Sequence, residues 1–290
     1  MATTPQVVDR PIALNQRSAR GIPPLVALAG VFILLVIVAA VFRSWIVPHS
    51  PYAQDLALSA SRPNGTHWLG TDNMGRDILS RTIFGSRTAL IGPAIVAAGG
   101  FTIAMCLGLP AGYLRGRVES IVMRWVDLMY SLPGLLVTIV VVGTIGGGYY
   151  AATFMLMVMF SPADTRIVRG EVVRQRALPY VESLRTLGVP ARRIMFVHIA
   201  RNVLPVVMAY VFLDFAFALV ALSGLSFLGV GVAPGTPDWG RMLFENRDLI
   251  FTSPLTFAAP VVAIVATAAS MNVFGDWVFS RMSRRAVERA

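Results

Sequence analysis

Long uncharged runs constrain this chain before anything else does. Ile22 to Phe42 gives 21 residues without a charge, Thr88 to Leu114 gives 27, Leu128 to Ala163 gives 36, and Leu249 to Gly275 gives 27. Asn202 to Phe227 is uncharged except for Asp214. A bilayer core of about 30 Å takes roughly 20 apolar helical residues, so each run is long enough to span. At 36 residues the third run is too long for one span, and Gly143-Thr-Ile-Gly-Gly-Gly148 marks where it turns. The third span is then expected to begin near Ile121 and the fourth to run from about Tyr149 to Pro162. Six transmembrane helices in an all-α membrane protein is the most economical reading. The first run is too long for the apolar core of a signal peptide and is read as retained.

The arginines orient the spans. All 25 basic residues are Arg, and the formal net charge is +10. In a soluble chain such charge suggests nucleic acid; between apolar spans it marks the cytoplasmic segments, and no nucleic-acid partner is expected. With both termini cytoplasmic, the N-terminal tail (1–21), the loop after span two, the segment 164–201 and the C-terminal tail (281–290) hold 18 arginines, against 7 in the outside loops 43–87 and 228–248. The membrane-spanning body is thus 22–280. Having no Lys excludes a phosphate-binding P-loop lysine and Schiff-base chemistry. The single Cys106 excludes an internal disulfide and a thiolate metal cluster. It is expected to be inert packing near Gly108 and Gly112, a pair that would let another helix approach.

In the first outside loop, His67, Asp72 and Asp77 are metal-ligand types. The simpler reading is a structured segment with Trp68 at headgroup level and the acids capping turns, and no metal is assigned. The second outside loop, with Pro234, Gly235, Pro237 and Gly240, is expected to be irregular backbone. Ser226 between glycines resembles a serine-nucleophile turn, but His49, His67 and His198 lie in or near loops, which argues against a catalytic pairing. Asp214 is the one carboxylate expected deep in a span, where burial in lipid costs roughly 2.5–3.5 kcal/mol. It is expected to face a water-filled pathway or a polar partner.

The cytoplasmic segment holds a short framed helix. Pro179 suits a first helical position, Glu182 complements the helix dipole, Gly188 ends the helix and Pro190 forbids its continuation. Tyr180, Leu184 and Leu187 fall on one face. A helix this short needs a packing partner, in its own chain or another.

The residues Tyr180-Val-Glu-Ser-Leu-Arg-Thr-Leu-Gly188, followed by His198 and Leu204-Pro205, resemble the "EAA" loop of ABC importer permeases. The segment His67-Trp68-Leu69-Gly70-Thr71-Asp72-Asn73-Met74-Gly75-Arg76-Asp77 resembles one branch of that family, the C-type subunits of peptide and nickel permeases. Leu225 to Gly229, Thr236-Pro237-Asp238-Trp239-Gly240 and Asn272 to Asp276 are similar to the same branch. The chain departs from the pattern at Ser183, Leu184 and Arg201. The resemblance implies a type I ABC importer permease fold in a bacterial inner membrane. It makes Tyr180, Glu182, Leu184, Leu187, Gly188 and His198 the ATPase-coupling residues. His67, Trp68, Gly70, Asp72, Gly75, Arg76, Asp77, Pro237, Trp239 and Gly240 would lie on the binding-protein side. Partners would be a homologous permease subunit in a heterodimer, one or two cytoplasmic ATPases that bind ATP and Mg, and an extracytoplasmic binding protein. The chain itself would hold no cofactor and no catalytic site. Di- or oligopeptides are the implied cargo, with nickel complexes, haem or another small solute as the alternative. A stand-alone secondary transporter would need ionisable relays in the spans, and only Asp214 is visible.

Overall fold

The computed structural model describes residues 22–287, with side chains through Met282. The tail 1–21 and the last tail side chains lie outside the described residues. Helix α1 (Pro24–Ile46), α2 (Ile78–Leu114), α5 (Gly148–Arg176) and the continuous run Ala191–Phe227 are long and apolar enough to cross a membrane. So is the helix that starts at Pro254, α10 (Pro254–Val287). Two helices bent by 78°, α3 (Gly116–Tyr130) and α4 (Gly134–Ile145), make a sixth crossing when taken together. Between α5 and the fifth crossing lies α6 (Pro179–Thr186). The fifth crossing opens as α7 (Ala191–Arg193), passes through a π turn at Ile194–Ile199 and continues as α8 (Ala200–Phe227). The short α9 (Trp239–Glu245) precedes α10.

Three boundaries differ from those expected. The loop 43–87 gives way to helix at Ile78, because Asp77 Oδ2 caps α2 by accepting the Ser80 amide at 2.8 Å. The third span is not straight: Pro133 drives Leu132 out of helical geometry, and α3 closes with the Ser131 amide donating to Asp127 and Leu128 carbonyls. The fourth helix does not stop at Pro162 but runs to Arg176. Proline deprives the Val158 carbonyl of its usual donor, and the Ser161 hydroxyl donates to that carbonyl instead at 2.9 Å. Pro260 in α10 leaves the Thr256 carbonyl in the same position, where the Asn246 side-chain amide reaches it at 3.4 Å.

The most extensive helix pair is α2 with α5. Their approach depends on a small-residue stripe, Gly92, Gly100, Ala104, Gly108 and Gly112, at four- or eight-residue steps. A Cβ on Gly108 would stand 2.8 Å from Val168 Cβ, and one on Gly112 would stand 2.8 Å from the Arg169 carbonyl oxygen. The Gly108–Gly112 pair therefore does pack a second helix. Cys106 does not share that contact: it is exposed, so it is not packing within this chain. At Gly92 the Tyr149 hydroxyl enters the α2 ladder, accepting the Gly92 amide at 2.9 Å and donating to the Thr88 carbonyl.

The crossings create two ends. One gathers the end of α2, α3, the end of α5, α6 and the start of α8; Glu119 pairs with Arg169, and Asp127 with Arg166 at 2.7 Å, tying α3 to α5. This is the arginine-rich end. The other, the cap end, gathers the segment after α1, the start of α2 and α9.

Candidate functional site

At the arginine-rich end α6 has the expected frame. Leu178 is extended, Pro179 opens the helix, Glu182 lies in its first turn and Gly188 has φ +72°. The Val189 amide donates to the Leu184 carbonyl and the Gly188 amide to the Arg185 carbonyl, both at 3.0 Å, which is a glycine-terminated C-cap. No atom lies within 4 Å of a Cβ built on Gly188, so only its left-handed backbone requires glycine.

The apolar side of α6 splits, whereas a single face was expected. Val181 is fully buried among Tyr113, Val168, Val172, Ile194, Ile199 and Val203, with Tyr180 and Leu184 on the edge of that cluster. The Tyr180 hydroxyl donates to Gln175 Oε1 at 3.1 Å. The Arg185 guanidinium lies 5.2 Å from the Tyr113 ring centre. Leu187 lies past the last helical residue, where the chain turns away, and is 77% exposed. Tyr180 and Leu184 therefore fix α6 to its own chain, whereas Glu182, Leu187 and Gly188 remain exposed. His198 sits half-buried in the π turn that leads into α8.

Midway along their length, the α3–α4 break, α5 and α8 line an open pocket of about 730 Å³. Asp164, Asp214, Tyr130, Tyr210, Pro133 and Phe217 are among its lining residues. Asp214 is thus not alone. The carboxyl of Asp164 meets it from α5, and Asp164 is only 4% exposed, with Oδ2 unpartnered. Asp164 went unrecognised in the sequence because it follows Pro162, where the span was expected to end. Tyr210 and Leu213 also line a second cavity of about 510 Å³ with Asn272 and Asp276. One stripe of α8 (Val206, Tyr210, Leu213, Asp214, Phe217, Val220) therefore faces both spaces.

At the cap end the two motif segments come together, but mostly as buried structure. Asp72 turns back on its own loop, accepting the Met74 and Arg76 amides at 2.9 Å and Arg76 Nε at 2.6 Å. His67 Nδ1 lies 2.9 Å from Asp77 Oδ1. Gly70 and Gly75 have positive φ and back onto the Ser61 and Asp55 carbonyls. Trp239 is buried and donates Nε1–H to the Thr82 carbonyl at 2.8 Å, Gly240 lies against the Ser223 backbone, and Pro237 is buried. The loop is not irregular throughout: Asp238 caps α9 by accepting the Arg241 amide at 3.1 Å. Burial pushes the Asp238 carboxyl up, against that hydrogen bond. Trp68 is exposed.

Glu245 and Arg81, not singled out in the sequence, hold this cap. Glu245 Oε2 accepts from Arg76 at 2.7 Å and from Arg81 at 2.9 Å; Oε1 accepts the Gly235 amide at 2.9 Å and Arg241 at 3.2 Å. Burial acts to raise the Glu245 carboxyl, but the Gly235 amide and the three arginines outweigh it and hold it below its usual value. Arg81 is fully buried and also donates to the Pro51 and Gly235 carbonyls. Nothing local in the sequence announces a pairing across 164 positions.

Residues 104–287 match the family model described as "Binding-protein-dependent transport system inner membrane component". The chain is 32% identical over 255 residues to the probable D,D-dipeptide transport system permease protein DdpC of Escherichia coli (strain K12), covering 88% of this chain and 86% of that one. It is 32% identical over 280 residues to the glutathione transport system permease protein GsiD of Pectobacterium atrosepticum, covering 95% and 93%. The Shigella dysenteriae GsiD matches at 32% over 249 residues, covering 86% and 82%. With its apolar crossings and these relatives along almost its whole length, the chain belongs to the family of inner membrane components of binding-protein-dependent transport systems.

Proposed function

We propose that this multi-pass inner-membrane permease subunit forms half of the translocation pathway for di- or oligopeptides and transmits ATP-driven motion through α6. The arginine-rich end faces the cytoplasm, a reading that the 18-to-7 arginine distribution supports, and the cap end faces the binding protein. ATP and Mg belong to ATPase subunits docked at α6, and a homologous permease subunit completes the pathway.

The observation that carries this reading is the construction of α6. It is bolted through Val181, Tyr180 and Leu184 to the cluster that joins α2, α5 and α8, yet it presents Glu182 and Leu187 outward. Force applied to the exposed side is delivered to three crossings at once. The π turn next to it supplies irregular helix where the fifth crossing begins. Alternating access then requires the ATPases and the solute to bind the two states unequally.

A peptide cargo is supported by the substrates for which the relatives are named and by the pocket between α4, α5 and α8. Its volume falls in the range of small-ligand sites. Aromatic and apolar walls suit side chains, and the carboxyls of Asp164 and Asp214 suit a cationic amino group. The test is to assemble the full importer with Glu182→Ala or Gly188→Arg and measure retained ATPase and peptide uptake. Both variants should insert in the membrane, hold less ATPase and lose substrate-stimulated hydrolysis. Wild-type ATPase retention together with wild-type uptake in both would refute the coupling role.

A further inference from the structure

Two of the chain's three histidines meet at the cap end. His49 follows α1, His67 follows the Pro63 turn, and their ring centres lie 4.7 Å apart. Each ring has one nitrogen already engaged. His49 Nε2 lies 3.0 Å from the Thr66 carbonyl oxygen. A carbonyl only accepts, so Nε2 carries the proton and Nδ1 keeps a free lone pair. His67 Nδ1 donates to Asp77 Oδ1 at 2.9 Å, which leaves Nε2 as the lone-pair nitrogen. One N–H tied to a backbone carbonyl or a carboxylate, with the other nitrogen bare, is the arrangement that orients imidazoles for metal binding.

The surroundings fix both rings. Asp77 is buried and capped onto α2 through the Ser80 amide. The Ser80 hydroxyl accepts the His49 amide at 3.1 Å. Potential ligand atoms, one each from His49, His67 and Asp77, lie within 4.8 Å of one another. Of the two acids that the sequence offered with His67, Asp72 is instead committed to Arg76.

We propose that His49 Nδ1 and His67 Nε2 bind a divalent transition-metal ion, with Asp77 orienting His67 and water completing the coordination. Two imidazoles select zinc, nickel or copper over magnesium and calcium, which prefer all-oxygen shells. The ion would clip the segment after α1 to the loop around His67, which Asp77 ties to the N-cap of α2, at the end of the molecule opposite α6. This inference does not depend on the identity of the transported solute.

The experiment uses the assembled importer, free of polyhistidine tags, stripped with chelator and titrated with Co²⁺ and Zn²⁺. Wild type is expected to bind one more ion per copy of this chain than His49→Gln/His67→Gln. Each single change should weaken that site at least tenfold. Asp77→Asn should weaken it roughly 10–100-fold, as loss of an orienting partner does, whereas His198→Gln should leave it unchanged. Wild-type complex loaded with Cu²⁺ should show nitrogen couplings from two imidazoles in its paramagnetic resonance spectrum, a reading that needs no variant. Equal stoichiometry and affinity in wild type and the double variant, or a Cu²⁺ spectrum without imidazole coupling, would overturn the proposal.

Discussion

Replacing Glu245 by Ala should be the most damaging single change at the cap end. The carboxylate takes one amide and three arginine donors, and two of those arginines, Arg76 and Arg81, are buried. Arg76 keeps Asp72 at 2.6 Å after the change, so it stays paired. Arg81 keeps only Asp72 at 3.7 Å and the Pro51 and Gly235 carbonyls. Removing one partner of a buried ion pair costs about 3–5 kcal/mol. The remaining contacts of Arg81 put this case at the low end, near 3 kcal/mol. Glu245→Gln should cost less, because a side-chain carbonyl still accepts the Gly235 amide. The assay is amide hydrogen exchange on the reconstituted complex. Protection should fall in α9, in residues 233–238 and in the first turn of α2, and remain unchanged around α6. Full protection of α9 in Glu245→Ala would refute the view that this carboxylate holds the cap together.

The same carboxyl predicts an acid response. Its folded pKa lies below its usual value, so the stabilisation is complete above the unfolded value of about 4.5 and is lost as pH falls through the lower, folded value; α9 should deprotect in that window in wild type but not in Glu245→Gln. Gly108→Ala would press a methyl to 2.8 Å from Val168 Cβ and 3.0 Å from the Thr165 carbonyl, costing about 1–3 kcal/mol, read as a lower melting temperature of the complex; an unchanged melt would show that α2 and α5 have room to spare. Asp214→Asn and Asp164→Asn should leave the complex assembled while changing uptake of a peptide with a free amino terminus more than uptake of its N-acetyl form; loss of assembly, with unchanged uptake per complex that does assemble, would make the pair purely structural.

The crossings were legible because uncharged runs of this length have few alternatives to spanning a bilayer. The frame of α6 was legible because Pro179 and Gly188 act locally, through a missing N–H and a positive φ. Which side of α6 turns inward was not, since burial of Val181 depends on the shape of a cluster drawn from α2, α5 and α8. The start of α2 carried a signal, the Asp77 cap, that the charges of Arg81 and Arg87 obscured. Arg81 is tolerated inside a helix only because Glu245 arrives from far along the chain. Continuation through Pro162 rests on the Ser161 rotamer, and the meeting of Asp164 with Asp214 rests on the register of α5 against α8. Those are tertiary facts with no local counterpart.

In the proposed function the exposed side of α6 is seated on an ATPase while its inner side is sealed against the bundle. Cysteine cross-linking tests it most directly, in a Cys106→Ser background, since Cys106 is the chain's one native thiol. Single cysteines at Leu187 and at Glu182 should each cross-link to the ATPase subunit in the assembled importer, with a yield that changes on adding ATP. A cysteine at Val181, fully buried here, should not. Absence of any ATPase adduct from Leu187 and Glu182, or labelling of Leu187→Cys by a membrane-impermeant reagent applied from outside intact cells, would contradict the account.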